Sequence, residues 1–139
     1  MIQNIKNTLQ QSDKDLINTN PLNLAFMGDA VWTCLIREYF CFNTNFKNNN
    51  LHKLTTKFVK ASFQAQSVDF LFDIFTVEEK DLIRRARNTK MATVSKNASL
   101  SDYKKATGFE AVIGYLFLSG KDDRILELLK LGFDEIGKG

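Results

Sequence analysis

Two long segments of this chain are apolar nearly throughout, and each holds one formal charge, a carboxylate. Residues 22–36 read LNLAFMGDAVWTCLI, with Asp29 the only charge, and residues 106–118 read ATGFEAVIGYLFL, with Glu110 the only charge. Apolar stretches of this length, if helical, must be buried on most faces. Both therefore belong at the centre of a fold, and both bring a carboxylate with them. A single proline, Pro21, and seven glycines in 139 residues leave few forced breaks. No stretch shows convincing β alternation. These features predict one all-α domain spanning residues 1–139, with five or six helices and residues 1–16 as a poorly determined leading segment. Neither apolar run reaches the roughly 18 residues of a membrane span, so no membrane partner is expected.

Local signals place the elements. Asn20-Pro21-Leu22 reads as a helix start, with Asn20 as cap and Pro21 in the first turn. The helix it opens runs to Phe40, before a polar loop expected from Asn43 to Asn50. Leu51, Leu54, Phe58, Ala61, Ala65, Val68 and Phe72 form one stripe that predicts a single helix over 51–73, with Phe70, Leu71 and Phe72 in the core. Thr76-Val77-Glu78-Glu79 is a capping box for a helix through Ile83 and Ala86. After the polar stretch 88–99, Ser101 begins a helix through Leu118, closed by Ser119-Gly120. A last helix covers 122–133, with Ile125, Leu128, Leu129 and Gly132 on one side. Trp32 is expected in the core. Cys34 and Cys41, seven apart on one helix face, are expected to be buried packing residues. With no secretory leader recognised, two cysteines point to a reducing, cytoplasmic setting. One histidine and two cysteines are too few for a zinc site of those ligands.

The isolated acids carry the chemistry. Each is expected to be at least partly withdrawn from water, which costs several kcal/mol or shifts the pKa until the group is neutral. Neither Asp29 nor Glu110 has a basic partner three or four residues away. On facing helices the two could share a hard divalent cation, and Gly28, Ala106 and Gly114 would allow close helix approach or leave room for its waters. Helix capping, or pairing with distant Arg or Lys residues, is the alternative that spacing leaves open.

Charge is polarised. The whole chain carries +3, but residues 80–105 hold eight basic residues (Lys80, Arg84, Arg85, Arg87, Lys90, Lys96, Lys104, Lys105) against two acids, a net +6. The rest of the chain holds eleven basic and fourteen acidic residues, a net −3. A basic window mixed with Thr89, Thr93, Ser95, Asn97 and Ser99 suits phosphate contacts; a solvated loop of ordinary lysines is the plainer reading. No ladder of aromatics interleaves with the charges, which favours backbone reading of a duplex over stacking on single strands. His52, beside Lys53, suits either an RNA contact or a surface role.

Leu24-Ala25-Phe26-Met27-Gly28-Asp29-Ala30-Val31 resembles the metal-binding helix motif of the ribonuclease III family, usually LEFLGDAV. Thr107-Gly108-Phe109-Glu110-Ala111 with Gly114 resembles its second acidic motif, usually D-x-x-E-A. Ala25 and Thr107 depart from that pattern, standing where the family usually has Glu and Asp. Leu51-His52-Lys53, Arg84-Arg85-Ala86-Arg87-Asn88, Val94-Ser95-Lys96-Asn97 and Tyr103 through Leu118 resemble the Mini-ribonuclease III subfamily, which has the same simplified acids. The resemblance covers nearly all of residues 17–134. It implies a homodimeric, all-helical catalytic domain without a separate double-stranded-RNA-binding domain. It also implies a Mg²⁺-dependent endoribonuclease in which Asp29 and Glu110 are the catalytic metal ligands. Arg84, Arg85, Arg87, Lys90 and Lys96, with Lys104, Lys105, His52 and Lys53, would contact double-stranded RNA. The implied substrate is the precursor of 23S ribosomal RNA, with a ribosomal protein as a candidate for presenting it. The competing expectations are a non-catalytic duplex-RNA-binding or ribosome-assembly protein on a decayed nuclease fold, and a helical protein-interaction module.

Overall fold

The computed structural model describes residues 15–43, 48–89 and 99–135. A 3₁₀ turn at Leu16–Asn18 precedes six helices: α1 (Pro21–Asn43), α2 (Asn48–Val59), α3 (Ala61–Leu71), α4 (Val77–Asn88), α5 (Leu100–Leu118) and α6 (Asp122–Glu135). No strand occurs among the described residues, as the periodicity predicts. Leu16 and Ile17 of the 3₁₀ turn pack against the core.

Helix α5 is the axis of the fold. From Ala106 to Leu116 every residue except Glu110 is buried, which is why its sequence is apolar all round. Helices α1, α3 and α4 surround it. Trp32 of α1 fills the centre: its indole N–H donates to the Phe58 carbonyl at 2.9 Å, and its ring meets Phe109 edge-on at 4.9 Å. Several termini follow the local signals, although α1 runs on from Phe40 to Asn43 and α2 already begins at Asn48, inside the loop expected over 43–50. Asn20 accepts the Leu22 amide at 2.9 Å. The Thr76–Glu79 capping box forms in both directions, at 2.9 and 3.1 Å. Helix α5 begins at Leu100, one residue early, because the Ser99 hydroxyl caps the Asp102 amide at 3.0 Å. It ends in a Schellman turn, Lys121 N–H to Leu116 carbonyl at 2.8 Å and Gly120 N–H to Phe117 carbonyl at 3.1 Å. Gly120 takes the required positive φ of 75°.

Three expectations need correction. The helix expected over 51–73 is two helices, α2 and α3, separated by Lys60 in extended conformation (φ −74°, ψ 157°). The apolar stripe runs across the break because both helices face the same core, so periodicity could not reveal it. Second, Phe70 and Phe72 are exposed. Leu71 and Phe75 are the residues that enter the core there, and Phe72 lies instead under the Lys80 ammonium at 4.6 Å. Third, Cys34 and Cys41 are exposed. The buried face of α1 is Leu24, Ala25, Gly28, Trp32, Ile36 and Phe40. At 100° per residue, Cys34 lies about 200° from Trp32 and Cys41 about 100° from Phe40. Their seven-residue spacing is a real shared face, but the solvent side of it.

Candidate active site

Glycine at two positions lets α1 and α5 touch through their backbones. A Cβ on Gly28 would fall on the Glu110 carbonyl and come within 2.9 Å of the Gly114 amide nitrogen. A Cβ on Gly114 would likewise fall on the Leu24 carbonyl. This crossing brings the Asp29 and Glu110 carboxyl groups within hydrogen-bonding reach of each other. Glu110 is half-buried, whereas Asp29 is exposed, so the withdrawal from water expected of both holds for Glu110 alone. Burial first, then the hydrogen bond to Asp29 and its negative charge, pushes the Glu110 pKa up to about 9. At neutral pH this favours the protonated form of Glu110.

A divalent cation relieves the same repulsion that the proton relieves, and carboxylate oxygens are the donors a hard cation takes. The residues present fit such an ion with two protein ligands and the rest of its shell water. No cluster of three or more His, Cys, Asp or Glu residues suited to a metal occurs among the described residues. Ala25 is buried and offers no donor. Thr107 is also buried, and its hydroxyl is spent on the Tyr103 carbonyl at 2.9 Å.

A third bare backbone brings the basic helix alongside. A Cβ on Gly108 would meet Ile83 Cγ2 at 2.9 Å, so α4 packs onto α5 two residues before Glu110. On α4, Arg84 is exposed and donates to Asp81 at 2.7 Å. Arg85 donates to the same Asp81 at 2.9 Å and to the Ile17 carbonyl at 2.7 Å, with its side chain mostly covered. Arg87 is exposed. Lys104 is half-buried, and Lys105 is held by Asp69 of α3 at 2.9 and 3.1 Å. Lys90 and Lys96 lie outside the described residues. His52 and Lys53 are exposed on α2. There Asn50, Lys53, Leu54 and Lys57 line a surface depression of about 300 Å³. Lys57, not among the expected contacts, lies one helical turn after Lys53.

Comparison with known proteins shows the family. Residues 22–121 match the Ribonuclease III domain. The chain is 42% identical to a Mini-ribonuclease 3 of Thermoanaerobacter sp. (strain X514), over 95% of this chain and 93% of that protein. It is 46% identical to a Mini-ribonuclease 3 of Clostridium tetani, over 85% of this chain and 79% of that protein, and 40% identical to one of Staphylococcus aureus, over 86% and 90%. A crystal structure of a Fusobacterium nucleatum protein superposes with a TM-score of 0.79 at 30% identity, covering 88% of this chain and 98% of that one. With the paired carboxylates, the glycine crossings and the basic helix in place, this chain belongs to the ribonuclease III family, on its Mini-ribonuclease 3 branch.

Proposed function

We propose that this ribonuclease is a Mg²⁺-dependent endonuclease of double-stranded RNA, active as a homodimer in the cytoplasm, and that its substrate is the precursor of 23S ribosomal RNA. The observation that carries the reading is the Asp29–Glu110 pair at the α1–α5 crossing, in segments that otherwise exclude charge. Asp29 and Glu110 would hold the cation, with Glu110 losing its proton to do so. A Mg²⁺ ion held there would supply an activated water and charge stabilisation at the scissile phosphate and the leaving 3′ oxygen. Arg84 and Arg87, with Lys53 and Lys57 on a second face, bind backbone phosphates and fix the duplex against the carboxylates. Arg85, Lys104 and Lys105 add positive potential from their tethered positions, and Lys90, Lys96 and His52 complete the proposed contact set.

Support for the homodimer comes from Phe26, 84% exposed and three residues before Asp29, with Ala30 and Cys34 on the same exposed side of α1. Phe26, Ala30 and Cys34, one turn apart, make an apolar strip beside the site that a second copy would cover. A ribosomal protein presenting the RNA would find apolar surface at Phe70, Phe72, Ile74 and Val77, all exposed around the turn between α3 and α4. No helix among the described residues is long and apolar enough to cross a membrane.

The test is cleavage of a defined duplex from the 23S precursor by wild type, Asp29→Asn and Glu110→Gln, with Mg²⁺ and with chelator. Wild type should cut only with the metal, and each variant should lose at least about 100-fold in rate while remaining helical by circular dichroism. A variant that cuts at the wild-type rate removes the assigned site. The missing donors at Ala25 and Thr107 favour one rival, a duplex-binding protein that does not cut. Salt-sensitive binding without cleavage at any enzyme concentration would establish that rival.

A further inference from the structure

One acid stands among the arginines that α4 presents. Asp81 accepts from two of them at once: Arg84 Nη2 reaches Oδ1 at 2.7 Å, and Arg85 Nε reaches Oδ2 at 2.9 Å. Arg85 is anchored in turn, because its Nη2 donates to the Ile17 carbonyl at 2.7 Å and Ile17 packs against the core. A chain of contacts therefore runs outward from the core through Ile17, Arg85 and Asp81 to Arg84, whose side chain is 63% exposed. Asp81 takes one of the five N–H donors of Arg84 and leaves the others available.

Neither stability nor charge accounts for Asp81. Exposed ion pairs of this type add little to folding, and a negative charge on a phosphate-facing surface opposes binding. Both guanidiniums hold the Asp81 carboxyl below its usual range, so it stays charged at neutral pH.

We propose that Asp81 is a positioning residue for RNA: it holds the Arg84 guanidinium in an outward pose that meets a backbone phosphate, while Arg85 anchors Asp81 and is not itself a phosphate ligand. The inference rests on the duplex-RNA reading above. An unheld arginine must be ordered on binding, and fixing it beforehand removes that cost.

The Asp81→Asn variant sets the two effects against each other. Removing a negative charge, taken alone, tightens RNA binding; losing the positioning of Arg84 weakens it. Affinity is measured by anisotropy of a labelled RNA duplex in chelator, where no cleavage occurs, over a salt series. The expected result is binding about two- to tenfold weaker, with the slope of log affinity against log salt reduced by about one. Asp81→Glu should restore affinity to within about twofold of wild type, since it returns the carboxylate to the same turn. Arg84→Ala should weaken binding, and adding Asp81→Asn to it should weaken binding no further. That coupling and the salt slope do not respond to a general loss of stability. Wild type that binds the duplex while Asp81→Asn binds equally or more tightly overturns this inference alone. Wild type that binds no duplex overturns the RNA reading and this inference together.

Discussion

Glu110 is the one half-buried member of an otherwise buried eleven-residue run, and its acidity follows from that position. Its pKa rises from an ordinary 4.5 to about 9 through burial and the neighbouring Asp29. The folded, metal-free protein thus favours the protonated form. Stability from this group is fully present below about pH 4.5 and is lost as pH rises through about 9. Melting in chelator from pH 5 to pH 9 should show a falling midpoint, and Glu110→Gln should flatten that fall. A cation competes with the same proton, so Mg²⁺ affinity measured by titration calorimetry should increase over this range. The isolation of Glu110 was legible in the sequence. That Asp29 is exposed while Glu110 is half-buried was not legible, because the facing of their two helices decides it.

Among the elements, the α1–α5 crossing is the least tolerant. Gly28→Ala places a methyl group on the Glu110 carbonyl, where only backbone can move. We expect a loss of at least about 3 kcal/mol by denaturant unfolding, with Mg²⁺ binding lost from any folded fraction. A second constraint joins α6 to the turn before α4. Glu79, buried, caps Thr76 and accepts from Arg124 at 2.7 and 3.0 Å, while Arg124 also donates to the Ile74 carbonyl at 2.9 Å. Arg124→Met should cost about 3 kcal/mol, because it leaves the buried Glu79 carboxyl without its ion-pair partner. The capping box at Thr76 was readable from four residues, since capping is local. The ion pair was not, because its members are 45 residues apart. The break at Lys60 was hidden for a related reason: one apolar stripe serves two helices.

For the whole molecule, segregation of charge matters more than its sum. A +6 window beside a −3 remainder should give RNA affinity that falls steeply with salt. The exposed Phe26 predicts an assembly effect as well. If the proposed homodimer forms, Phe26→Asp should shift it toward monomer in analytical ultracentrifugation and reduce duplex cleavage, while far-ultraviolet circular dichroism stays unchanged. A variant that remains dimeric and active would remove Phe26 from the interface.

The sequence by itself determined the helical class, most helix ends, the two acids and the basic window, because periodicity, capping and charge isolation are properties of neighbouring residues. Tertiary structure alone decided the rest. It brought Asp29 against Glu110 through facing glycines, placed α4 beside them at Gly108, tethered Arg85 and Lys105, and exposed Cys34, Cys41, Phe70 and Phe72. Those outcomes depend on which faces of different helices meet, and that is a property of packing between segments distant along the chain.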